Sequence, residues 1–122
     1  MQWEEKRKFQ RAFVKLPVEY RSKSFWQYVE ARDVSAGGMF LVTDKVEPPH
    51  TKIEVMFEFG KDDKKFIHAE AIVAWSRPKP GRDESGDIQP AGMGIMFTKI
   101  TPLVAKDFID RVVKSLKEGK GD

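Results

Sequence analysis

The chain contains no cysteine. Disulfides, thiolate nucleophiles and cysteine metal ligands are therefore excluded, and a reducing compartment suits it. Histidine is almost as scarce, with only His50 and His68. The first falls in a Pro-rich loop and the second in mid-strand, and neither has ligating neighbours at metal-site spacing, so no metal is expected. No apolar run approaches the roughly 20 residues that cross a bilayer, and no charged-then-apolar leader opens the sequence. Membrane insertion is not expected, and the chain reads as cytoplasmic. Ser35 lacks the G-x-S-x-G elbow of a serine nucleophile. There is no P-loop and no dinucleotide fingerprint. No catalytic residue is assigned and no enzyme chemistry is expected.

What is present fits one domain of 122 residues. Folding a chain of that size buries about 65% of its unfolded surface, enough for an independent core. The net charge of +3 is unevenly spread. Residues 1–32 hold eight Lys/Arg against four Asp/Glu, whereas residues 33–122 hold fourteen against fifteen. A basic N-terminal quarter suits an anionic partner at that end.

Hydrophobic periodicity gives the architecture. Residues 1–11 show no alternation and are expected to form a mobile arm. Val14, Leu16, Val18 and Tyr20 recur at period two, as in a half-buried strand. Pro17 demotes that strand to an edge or a bulge. A second strand is expected from about Phe25 to Val34, with Phe25, Val29, Ala31 and Asp33 on one face. Further strands are expected over Met39–Thr43, Ile53–Phe59, Phe66–Trp75 and Ala91–Phe97. In the fifth, Ile67, Ala69, Ala71 and Val73 share a face. Residues 76–90 read as a long polar loop. Thr101-Pro102 supplies an N-cap hydroxyl and a first-turn proline, so a helix is expected over about 102–117. Its apolar stripe would be Leu103, Val104, Phe108, Ile109, Val112, Val113 and Leu116. Short turns and no crossover helices imply antiparallel pairing. Six such strands tend to close, because closure removes exposed edges. The fold class expected is mainly β, a six-stranded antiparallel β-barrel with a C-terminal α-helix over residues 12–122.

Three motifs could carry binding chemistry. Arg7-Lys8-Phe9-Gln10-Arg11 is R-x-x-x-R, two planar forks suited to phosphates and purine edges. Asp33-Val34-Ser35-Ala36-Gly37-Gly38 is D-x-S-x-x-G. Its carboxylate can accept from the ring N–H and amino group of a guanine, its hydroxyl can assist, and Gly38 permits a bulge or a close backbone approach. The same residues also gather at ordinary strand-to-turn junctions. Gly92-Met93-Gly94 implies crowding against backbone, from a neighbouring strand or from a ligand.

The order R-x-x-x-R, then D-x-S-x-x-G after 21 residues, then a strand ending in Trp75, then G-M-G-I-M-F, resembles the PilZ domain over about residues 6–117. The resemblance implies a bacterial receptor for cyclic di-GMP. Arg7 and Arg11 would bind phosphates and guanine edges from a mobile segment that folds over the ligand. Asp33 and Ser35 would read a guanine on the barrel surface, and Gly38 would leave room for it. Lys6, Lys8, Gly37 and Gly94 are candidates for secondary contacts, and the lysines flanking Arg7 bear on ligand number. No other cofactor is implied. With no second domain in view, output would pass to an unidentified downstream protein. Two other readings are a protein-interaction adaptor that binds no nucleotide, and a barrel for single-stranded nucleic acid using Trp26, Tyr28 and Phe40. The modest net charge disfavours a nucleic-acid polymer as partner.

Overall fold

A computed structural model describes residues 9–118. Its elements are β1 (Arg11–Arg21), β2 (Trp26–Ser35), β3 (Gly38–Val42), β4 (Lys52–Phe59), β5 (Lys65–Arg77), β6 (Gly81–Arg82), β7 (Ile88–Gln89), β8 (Gly92–Thr101) and α1 (Ala105–Glu118). Six strands close into an antiparallel barrel in the order β1-β2-β3-β8-β5-β4. The small β6–β7 hairpin stands outside it, within the stretch expected to be loop.

The barrel interior follows the period-two pattern. Val18, Tyr20, Val55, Phe57, Ile67, Ala69, Ala71 and Val73 are buried in one cluster with Leu41, Met93 and Ile95. Pro17 pairs with Glu30 of β2. Pairing of β1 with β4 covers only Glu19–Arg21, so no β4 partner is denied a donor by the proline. Tyr20 is fully buried, and its hydroxyl donates to the carboxylate of Glu47, itself buried. The Glu47 N–H points to the Met93 sulfur at 3.2 Å. This pins the β3–β4 loop to the core.

The register shifts at four places, one of them in β1 between Phe13 and Leu16, just before Pro17, and one between Glu70 and Ala71 of β5; the other two decide where the site faces. One lies in β2, between Ala31 and Asp33. Sequence alternation puts Asp33 on the face of Val29 and Ala31, but the extra residue, Arg32, turns it outward and sends Val34 into the core instead. The other lies in β5 between Val73, which is buried, and Trp75, which is 45% exposed. Each bulge inserts one unpaired residue, which reverses every later side chain.

The helix starts later than expected. Thr101 is the last residue of β8 and pairs with His68, so its ladder outcompetes an N-cap role. Pro102 belongs to the connecting turn, where its carbonyl accepts from the Ala105 N–H. Leu103 and Val104 are exposed at 85% and 73%, and the buried stripe is Ala105, Ile109 and Val113. α1 lies against β1, β2 and β8. Its C-terminal turn is tied to the barrel at two points, by Lys61 to Ser115 and by Lys117 to the Arg11 carbonyl.

Candidate functional site

The site is assembled by strand register. Across the outer surface, Phe13 pairs with Asp33, Asp33 with Phe40, Phe40 with Gly94, and Gly94 with Trp75. The adjacent row runs Arg11, Ser35, Gly38, Met96 and Ile72. Apart from Ile72, the two rows line a groove of about 1200 Å³, together with Phe9, Arg32, Gly37, Arg77, Ile88, Gln89 and Lys106. The hairpin contributes Ile88 and Gln89 to one wall, and α1 contributes Lys106.

The D-x-S-x-x-G side chains are held by the neighbouring strands and by the turn that follows β2. The Asp33 carboxylate accepts from the Phe40 N–H at 3.0 Å through Oδ1. Its Oδ2 lies 3.5 Å from the Arg11 guanidinium. The Ser35 hydroxyl accepts from the N–H groups of Gly37 and Gly38, at 3.0 and 3.2 Å. Asp33 and Ser35 therefore face the groove in fixed orientations. Gly38 is required by packing: a Cβ there would collide with the Ile95 carbonyl of β8. The clearance at this glycine is thus taken up by the neighbouring strand. At Gly37 the space above the backbone is taken by the Phe9 ring, over which the Lys106 ammonium sits at 4.8 Å.

Of the sequence-predicted residues, the structure brings together Arg11, Asp33, Ser35, Gly37 and Gly38. Arg11 opens β1, so its backbone belongs to the barrel. Arg7, Lys6 and Lys8, with most of the expected arm, lie outside the described residues. Gly94 lines the groove but lies beneath the Trp75 indole. Residues outside the predicted set of ligand contacts complete the wall. Phe40 and Trp75 stack with centroids 5.4 Å apart and planes at 19°. Arg77 stands over both rings. The signal for this pair was the G-M-G spacing, since rings can lie flat only over a strand without side chains. Arg32 also lines the groove and pairs with Glu30 at 3.0 Å. Lysine and arginine thus outnumber acids around the groove, as an anionic ligand with flat rings requires.

A closed six-stranded barrel with a helix across one mouth, and a basic, aromatic-walled groove on its outer face, defines a small-ligand receptor module. The sequence pattern of the PilZ domain matches residues 5–114, and the chain belongs to that family. Among curated proteins none matches the chain. Two solved structures share the fold. The Bacillus subtilis inhibitor of motility (MotI/DgrA) superposes with a TM-score of 0.72 at 15% identity. It covers 94% of this chain, which spans about half, 54%, of that one. The PilZ domain of YcgR from Escherichia coli, solved with c-di-GMP, has a TM-score of 0.64 at 15% identity and 92% coverage of each chain. Among the described residues, no helix is long and apolar enough to cross a membrane.

Proposed function

We propose that this chain is a cyclic di-GMP receptor that acts as an adaptor. The observation that carries this is the convergence of Arg11, Asp33, Ser35 and Gly38 on one groove in a PilZ-family chain. Asp33 accepts from the N1–H and amino group of one guanine through Oδ2, while Oδ1 keeps the Phe40 N–H. That exchange releases Arg11, whose fork then takes a phosphate or a guanine edge. Arg7, four residues earlier, brings a second guanidinium to the same ligand. Ser35 holds the turn and offers its hydroxyl beside the base.

On this reading the ligand fixes the N-terminal segment over the groove, and the surface so formed is what a downstream protein recognises. Several charge-assisted hydrogen bonds at about 1.5–3 kcal/mol each, less the cost of ordering the segment, leave about −8 kcal/mol, a micromolar dissociation constant. Isothermal titration with cyclic di-GMP tests the reading. Binding in that range is expected, with Arg7→Ala and Asp33→Ala each losing most of it while circular dichroism stays unchanged. A folded protein that gives no heat overturns it. Hydrogen exchange over residues 1–8 with and without ligand tests the ordering step, and equal exchange rejects that step alone.

A further inference from the structure

Arg77 is a cation that the fold holds in place and leaves unneutralised. Its Nε donates to the Pro90 carbonyl at 2.8 Å. Its guanidinium carbon lies 5.3 Å from the Phe40 centroid and 5.2 Å from that of Trp75. Among the described residues no carboxylate lies within ion-pair distance of it. The support reaches down to the G-M-G motif. A Cβ on Gly94 would collide with the Trp75 indole, and one on Gly92 with the Leu41 carbonyl and the Phe40 ring. The two glycines let the rings lie across β8, and the rings carry the guanidinium. With Nε engaged, the two terminal amino groups keep four N–H donors. A fork fixed before the ligand arrives loses little further rotamer freedom on binding.

We propose that Arg77 is a further ligand-binding residue of the groove, gripping a pair of acceptor atoms on the part of the ligand farthest from Asp33. Those acceptors are a guanine O6/N7 edge or a phosphate, which share the same fork chemistry. The inference rests on the cyclic di-GMP reading. Trp75 stands three strand steps from Asp33, about 14 Å at 4.7–4.9 Å per step. Arg77 follows two residues later on the same face. A dinucleotide seated on Asp33 therefore lays its other half along Trp75 towards Arg77.

Titration of the full chain with cyclic di-GMP, alongside thermal melting, separates a ligand contact from a merely structural role. The Arg77→Met side chain still covers the rings, so this protein is expected to melt near the wild type yet bind at least tenfold more weakly. Arg77→Lys, a charge without a fork, should recover only part of that loss. Arg82→Ala, whose guanidinium donates to the Gly86 carbonyl within the hairpin, should bind like the wild type. Wild-type affinity in a folded Arg77→Met protein overturns the inference and leaves the receptor reading intact, whereas a wild type that does not bind overturns both. If Arg77→Met fails to fold, the Arg77 guanidinium 15N resonances of the wild type decide. A shift on saturation supports the contact, and no shift overturns it. A ligand with 7-deazaguanine distinguishes the acceptors. Losses that fail to add with Arg77→Met place the guanine edge at Arg77, and additive losses place the phosphate there.

Discussion

Asp33 has one oxygen on the Phe40 N–H and the other beside Arg11. Asp33→Asn keeps the first bond and removes the charge. Its melting temperature should stay close to the wild type while cyclic di-GMP affinity falls tenfold or more, and equal affinity would place the site elsewhere. Gly38→Ala acts in the opposite sense. Its methyl meets the Ile95 carbonyl, so stability rather than chemistry suffers, by about 1–3 kcal/mol in urea unfolding. Tyr20 sets the third residue-scale prediction. Burial, first, and then its bond to Glu47 push its hydroxyl well above the usual tyrosine range. The folded chain thus keeps the proton while the unfolded chain loses it near pH 10. That part of the stability is present at neutral pH and is lost as pH climbs past about 10. Tyr20→Phe should remove this alkaline loss. It should also cost about 1–3 kcal/mol at pH 7, because Glu47 stays buried without its donor.

At the scale of elements, the bulges at Arg32 and Ala74 decide where the chemistry faces. Alternation in β2 and β5 was legible from Val29 and Ala31 and from Ile67 to Val73. Continued by one more step, it sends Asp33 and Trp75 into the core. Arg32 and Ala74 each add a residue and turn both outward, and nothing in their side chains signals that. The helix shows the same limit. Thr101-Pro102 has the composition of a helix start, yet Thr101 is held by its ladder to His68, and α1 begins at Ala105. The burial of α1 rests on few residues, chiefly Ala105, Ile109 and Val113. Ile109→Ala should cost about 2–5 kcal/mol in urea unfolding. Lys114→Ala, which breaks an i,i+4 pair with the half-buried Asp110, should cost less, about 0.5–1 kcal/mol.

For the whole molecule, closure does two things. It buries both edges of the sheet, and it curves β1, β2, β3, β8 and β5 so that their outer rows form one groove. Residues 11 and 77, far apart in the chain, line it together. A ligand that bridges those strands should stabilise the entire barrel. At a hundredfold excess over its dissociation constant, cyclic di-GMP should add about 2.7 kcal/mol to the unfolding free energy. A melt that does not move at that concentration contradicts binding to the folded state. Affinity should also weaken as salt rises, because Arg11, Arg77 and Lys106 face the groove partly in water.

By itself the sequence determined the six barrel strands, their antiparallel pairing, the closing tendency and the D-x-S-x-x-G residues that line the groove. All of these follow from local periodicity and from residue types at short spacing. The tertiary structure alone decided the outward turn of Asp33 and Trp75, the use of the Gly38 clearance by Ile95, and the stacking of Arg77 on Phe40 and Trp75. Those depend on register between strands distant in sequence, and register is settled by packing across the closed barrel, where no single strand's pattern can express it.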